Sequence, residues 1–324
     1  MTRALPYTLL ILLVLYLTSS CGSRPSDGVR SVKWDAESAA DETKSTHLWL
    51  VNRALDILSR HTDLAAAASV VSRLHHPGCT QSWQQGLVDA DFLAVYNNGL
   101  HDIPIGASTD QIILAGSTWA SHFYDPDTGT NYQGETDPTA LSETLRHARA
   151  ATNGQYDLNA SVASDQERTA CYELGLALHY FTDITQPMHA ANFTATHRPR
   201  ELHSNLEGYT MTIQDRYAAN DWSATPSGDL EPFIIQTAHA SKDAWPALHQ
   251  TVLNAYDAAQ KRDPVRCGQP EDSSWNFIEA QQFDHSVCWA GDADVDQGIG
   301  AALQFAQDRT AQFLYLLERH MTKQ

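Results

Sequence analysis

His179 and Asp183 stand four residues apart in the stretch CYELGLALHYFTDITQPMHAANF (171–193), a spacing that puts both side chains on one face of a helix. Leu174, Ala177, Leu178 and Phe181 recur at three- and four-residue intervals with no internal Pro, which predicts helix up to Gln186. Pro187 lacks an N–H and its ring clashes with the preceding turn, so the helix stops there. His189 follows at once, turned back toward the same region. Fourteen residues on, His203 and Glu207 repeat the four-residue spacing on a second helical stretch. Three imidazoles and two carboxylates from two helices suit borderline-soft divalent cations such as zinc. A lone HxxxD pair is ordinarily a surface or capped pair. Two such pairs, with a third His at the Pro break between them, point to a metal centre. These residues also interrupt apolar helices, where an unpaired charge would be costly.

The elements that must carry these groups read as helical throughout. Ser45 is an N-cap candidate, and Leu48, Val51, Leu55 and Leu58 form an amphipathic stripe behind it, with His47 in the first turn facing away from the bulk of that stripe. The Ala-rich residues 64–74 continue a helical pattern as far as Pro77-Gly78. Residues 75–138 have weak periodicity and scattered Gly, Asn, Asp and Pro, and are expected to be irregular. Long irregular stretches inside compact domains tend to be functional, and this one holds Asp89, Asp91, Trp119, His122 and Tyr124-Asp125-Pro126-Asp127. Helical patterns resume near 139–152, 164–186, 201–218 and 231–258. A second irregular insert, 262–292, precedes a long closing helix over about 294–321. No alternating run demands a sheet, and there is no internal repeat. The expected fold is all-α: a single compact multi-helix domain with long irregular loops and the site near its middle.

Composition narrows the partners. The chain has 324 residues, 42% hydrophobic and 19% charged, which fits a globular protein. Its net charge of -18 disfavours broad contact with a nucleic-acid backbone, but divalent cations in a cleft would still permit phosphate chemistry. Arg3 followed by the apolar run Leu9–Leu17 reads as an export signal, too short for a comfortable membrane span. We therefore expect a signal peptide over 1–21, a propeptide or linker over 22–33, and a catalytic domain over 34–324. Secretion is the expected destination, with lipid anchoring at Cys21 as the minor alternative. Of the remaining cysteines, Cys267 and Cys288 flank a loop-like segment and are candidates for a disulfide in an exported protein, while the pairing of Cys79 and Cys171 stays open. No cysteine cluster has zinc-site spacing, so a metal site here is made of His and carboxylate.

With His47, His122, His179, Asp183, His189, His203 and Glu207 in view, the chain resembles the bacterial zinc-dependent phospholipases C, secreted all-helical enzymes with three zinc ions. The resemblance runs from Trp34 to the last helix. It is carried by WDAE (34–37), HLWLVNRALDILSRH (47–61), ASHFYDPDTG (120–129), LHYFTDITQPMHAANFT (178–194) and HSNLEGY (203–209). It implies one zinc on Asp91, His122, His179 and Asp183, and a second on His189, His203 and Glu207, with Asp91 bridging. A third would sit on His47, Asp183 and the amino group and carbonyl of Trp34, once that residue is the mature N-terminus. Asp91 falls in register in GLVDADF (86–92), although Asp89 is only two residues away. The residues around 97–118 would then loop out of the site. For the head group the resemblance implies Glu37, Phe92 and Trp119, a carboxylate with two aromatic faces suited to a choline ammonium.

The activity so implied is hydrolysis of the glycerol-side phosphodiester of phospholipids, phosphatidylcholine foremost, by zinc-activated water with Asp91 as general base. The substrate would be met at a membrane or micelle surface, and neither nucleic acid nor an obligate protein partner is expected. Two rivals remain. The related zinc-dependent single-strand nucleases also start at a Trp and carry HxxxDxxxPxH, but place an Asp after a longer spacer where this chain has His203 and Glu207. An exported zinc-binding protein without catalysis would keep the same ligands. Toxin members of the phospholipase family append a membrane-docking β-sandwich, for which the residues after the closing helix leave no length, so lysis of intact cells is not implied.

Overall fold

Ser45 does cap a helix: its Oγ accepts from the Leu48 N–H at 3.1 Å, and helix α1 runs Thr46–Ser59 with its apolar stripe buried. The computed structural model describes residues 38–97, 119–152, 164–194, 197, 202–263, 267 and 285–321, all within the unit Ser31–Gln324. After α1 come α2 (Ala65–Leu74), α3 (Pro77–Asn97), α4 (Ala140–Thr152), α5 (Asp165–Ile184), α6 (Pro187–Ala190), α7 (Leu202–Ile213), α8 (Leu230–Arg262) and α9 (Ala293–Met321). Among the described residues there is no strand, only an isolated bridge between Asp125 and Thr130. The fold is all-α, as the periodicity predicts. No described helix is long and apolar enough to cross a membrane.

One element departs from expectation. The stretch after residue 75, expected to be irregular, begins with the 21-residue helix α3. Over Pro77–Asp91 its buried side chains Cys79, Trp83, Leu87 and Ala90, with Gly86 beside them, form a thin stripe, narrower than the usual apolar face of a packed helix. The helix is instead held by close approach to α5. A Cβ at Gly175 would lie 2.0 Å from the Trp83 carbonyl oxygen, and one at Gly86 would lie 2.3 Å from that of Tyr172. Glycine at both points lets the two backbones touch. A Cys79–Cys171 disulfide ties the same helices, with a sequence separation of 92. Trp83 meets Gly175 and Leu87 meets His179 at that same offset, so α3 and α5 run side by side in one direction. The second disulfide joins Cys267 to Cys288, as anticipated. Since the obstruction at Gly175 is main chain, Gly175→Ala should destabilise the protein by ~1–3 kcal/mol. It should also lower bound metal, because α3 moves with Asp91. A thermal melt with metal analysis checks both.

α5 starts on a capping box in which the Glu167 N–H donates to Ser164 Oγ and the Ser164 N–H donates back to the Glu167 carboxylate. It ends at Ile184, two residues earlier than expected, and Pro187 then opens the short α6 at its first turn, where a missing N–H costs nothing. α9 closes the core, with Phe313 stacked on Phe181 at 4.3 Å. At its end Glu318 pairs with Arg73 of α2, and Ser69 Oγ donates to the same carboxylate. Both charged side chains are buried.

Candidate metal centre

α5 delivers His179 and Asp183 one turn apart, both buried in the middle of the helical packing. Asp183 is the hub. Its Oδ2 lies 2.8 Å from His122 Nδ1 and 3.4 Å from His179 Nε2, and its Oδ1 lies 3.1 Å from His189 Nδ1 and 3.7 Å from His47 Nε2. His47 comes from the first turn of α1 and stacks on His179 with ring centroids 4.1 Å apart. His122 ends the 3-10 turn Trp119–His122. Asp91, from α3, places its Oδ1 3.6 Å from His179 Nε2 and is the most open member, with 26% of its side chain exposed. Asp89 points elsewhere, accepting from Tyr172 Oη and Gln85. Of the two, it is the Asp91 carboxylate that reaches His179 and His122.

The second half lies across the Pro187 break. His203 Nε2 and His189 Nε2 stand 2.9 and 3.4 Å from Glu207 Oε1, and 3.2 Å from each other. Gln186 donates to the same Glu207 oxygen at 2.9 Å. Phe123 stacks on His189 at 4.4 Å and forms an apolar wall. The loop after it is pinned to α8 by Lys242 Nζ, 2.6 Å from Asp125 and 2.7 Å from Asp127. Three groups of potential ligands result: His47 with His179 and Asp183; Asp91 with His122 and His179; His189 with His203 and Glu207. Within each, one ligand atom per residue lies within 4.8 Å of the others.

The ring nitrogens reveal what the cluster suits. His179 Nδ1 donates to the Leu87 carbonyl at 2.7 Å and His203 Nδ1 to the Phe193 carbonyl at 2.6 Å. A neutral ring with its proton on Nδ1 presents a lone pair at Nε2, so both Nε2 atoms face carboxylate oxygens lone pair to lone pair. A cation between them reconciles that arrangement, and hydrogen bonding of the remote nitrogen is how ligand imidazoles are usually fixed. His189 Nδ1 is buried without a hydrogen bond, its approach to Asp183 being off-line. The donor set therefore fits a divalent metal.

Electrostatics agree. Burial pushes His47 down to about 3, with His179 beside it adding to the effect, and pushes His179 down to about 4, so both are neutral at pH 7. Burial would also lower His189, but Asp183 and Glu207 outweigh it and raise this ring to about 9. For Asp183 burial works upward, yet His179, His189 and His122 hold the carboxyl well below its ordinary value. Glu207 is likewise held low against burial, by His203 and His189. The pocket draws positive charge to its centre.

Of the residues singled out beforehand, His47, Asp91, His122, His179, Asp183, His189, His203 and Glu207 are brought together. Trp34 and Glu37 lie outside the described residues, as do most of the 97–118 and 262–292 segments. Phe92 sits in the last turns of α3, and Trp119 is half-buried at the start of the 3-10 turn. Sequence reasoning missed the supports: Gln186, Thr182, and the carbonyls of Leu87 and Phe193. Gln186 and Thr182 were legible only as neighbours of ligands, and a backbone carbonyl leaves no signal.

No protein-family model matches the chain. Among curated proteins it is 34% identical over 219 residues to "Phospholipase C" of Bacillus cereus, covering 65% of this chain and 66% of that one. It is 30% identical over 223 residues to "Phospholipase C" of Listeria monocytogenes, covering 67% of this chain and 66% of that one. The match spans just under two thirds of each relative. Among solved structures, "Alpha Toxin from Clostridium Absonum" superposes with a TM-score of 0.56 at 19% identity, over 87% of this chain and 65% of that one.

Proposed function

We propose that this chain, 34% and 30% identical to bacterial phospholipases C over 219 and 223 residues, is a secreted zinc phospholipase C that cleaves phospholipids to diacylglycerol and a phosphorylated head group. The observation that carries the chemistry is the convergence of five imidazoles and three carboxylates on one buried point, with a single partly open carboxylate at its edge. His122, His179, Asp91 and Asp183 would hold one zinc; His189, His203 and Glu207 a second; His47 and Asp183, with the Trp34 main chain, a third. Bound there, zinc polarises phosphoryl oxygens and brings the pKa of a water toward ~7.

The protein's own groups do the rest. Asp91, alone among the carboxylates in being open to solvent, accepts the proton of the attacking water. Asp183 and Glu207 would offset the charge of the cations, and the buried imidazoles would hold the cations in place. No side-chain nucleophile is required. Glu37, Phe92 and Trp119 would receive a choline head group, and the net charge of -18 disfavours anionic lipids.

The test is a hydrolysis assay on the purified protein with parallel metal analysis. Phosphatidylcholine should be cleaved in preference to anionic phospholipids and far faster than single-stranded DNA; the reverse ranking against DNA would replace this reading with the nuclease one. Asp91→Asn should lower kcat by ~10²–10⁴-fold. Glu37→Gln should lower kcat/KM toward choline lipids by roughly 5–30-fold, a loss of ~1–2 kcal/mol, with zinc content unchanged. A protein that holds zinc but cleaves neither substrate would leave only the non-catalytic alternative.

A further inference from the structure

Thr182 occupies the helical position between the two metal-facing residues of α5 and is fully buried. β-Branched Thr is a modest helix former, and in an apolar interior its hydroxyl must be satisfied. It is satisfied twice by the main chain: Oγ1 donates toward the Leu178 and His179 carbonyls, each at 2.8 Å. With its only hydrogen committed to those oxygens, Oγ1 has just its lone pairs left. One of them faces His47 Nδ1 at 2.6 Å, across 135 residues of sequence. His47 Nδ1 must then be the donor. A neutral imidazole with its proton on Nδ1 presents its Nε2 lone pair, here toward Asp183 Oδ1 at 3.7 Å. Stacking on His179 fixes the plane of the same ring.

We infer that Thr182 is a positioning residue for the metal centre, locking His47 in the tautomer that offers Nε2 as a ligand beside Asp183. The role rests on the metal reading above and deepens it. The other proposed ligand rings with a resolved remote contact, His179 and His203, are fixed by backbone carbonyls. His47, unlike those two, is held by a neutral side chain, so its orientation can be tuned by mutation. One helix turn therefore supplies a ligand at 179, an orienting hydroxyl at 182 and a second ligand at 183.

The test uses the protein processed to begin at Trp34 and compares it with Thr182→Val, which keeps the shape and loses the oxygen, and Thr182→Ser, which keeps the oxygen, both in the same processed form. Each is stripped with chelator and titrated with Zn²⁺. Long-range proton–nitrogen correlation spectra of the stripped proteins, assigned with His47→Gln, report which nitrogen of His47 carries hydrogen. The expected result is an Nδ1–H tautomer in wild type and Thr182→Ser, lost in Thr182→Val. The ion whose binding depends on His47 should bind ~10–100-fold more weakly in Thr182→Val, with the remaining uptake unchanged and Thr182→Ser close to wild type. An Nε2–H tautomer in wild type would overturn the inference, as would Thr182→Val keeping both tautomer and affinity. Should Thr182→Val fail to fold, the wild-type and Ser spectra still decide. Absence of Zn²⁺ uptake by wild type would refute the metal reading instead, while the tautomer result would continue to judge Thr182.

Discussion

Removal of metal should abolish phospholipid hydrolysis and, in the same step, lower the melting temperature. The ligands come from α1, α3, the 3-10 turn before Phe123, α5, α6 and α7, so a cation there stitches together elements distant in sequence. Binding energy at such sites is folding energy. An ion present at 100 times its dissociation constant contributes ~2.7 kcal/mol. At ~2–4 °C per kcal/mol for a domain of this general size, each ion lost should cost about 5–10 °C. Stripping also leaves Asp183 and Glu207 buried against lone pairs, which adds to the loss. Scanning calorimetry before and after chelation, followed by re-addition of Zn²⁺, reads the effect. An unchanged melting curve would show that the centre is not a structural tie.

The second large effect lies far from the chemistry. Glu318→Ala should destabilise the protein by ~3–5 kcal/mol, because it removes from the interior the carboxylate to which both the buried Arg73 guanidinium and Ser69 donate. Zinc content and activity at low temperature should be unaffected, since neither residue approaches the ligands. Replacing both partners with apolar residues of similar volume should recover much of the loss, as removing a buried pair together often does. Denaturant titration of the single and double variants decides it. A single variant as stable as wild type would mean that Arg73 finds another partner.

Much of this architecture was legible beforehand, for identifiable reasons. His179 with Asp183, and His203 with Glu207, were visible because helical periodicity turns a four-residue spacing into proximity. His189 was visible because Pro187 forces the chain to turn there. α3 was not, because its stripe of Cys79, Trp83, Leu87 and Ala90 is thin and glycine contacts do the packing. The Cys79–Cys171 pairing could not be foreseen, since a separation of 92 residues carries no local signal. Choosing Asp91 over Asp89 needed the rotation of α3 about its axis, which is set by the contact with α5. The orienting groups around the ligands were hidden for a different reason. Two are backbone carbonyls, and the other two are Gln186, marked only by its place beside Pro187, and a threonine whose proton is already committed to its own helix.

Asp183 alone faces four imidazoles, from His47, His122, His179 and His189. In mutational terms the centre is then strongly epistatic: once Asp183 is replaced, the further loss of any of those four rings has little left to remove, and double variants will fall well short of the sum of their singles. Neutral drift can therefore wander over the outer faces of the helices while the hub stays fixed, because no order of single steps dismantles it gradually.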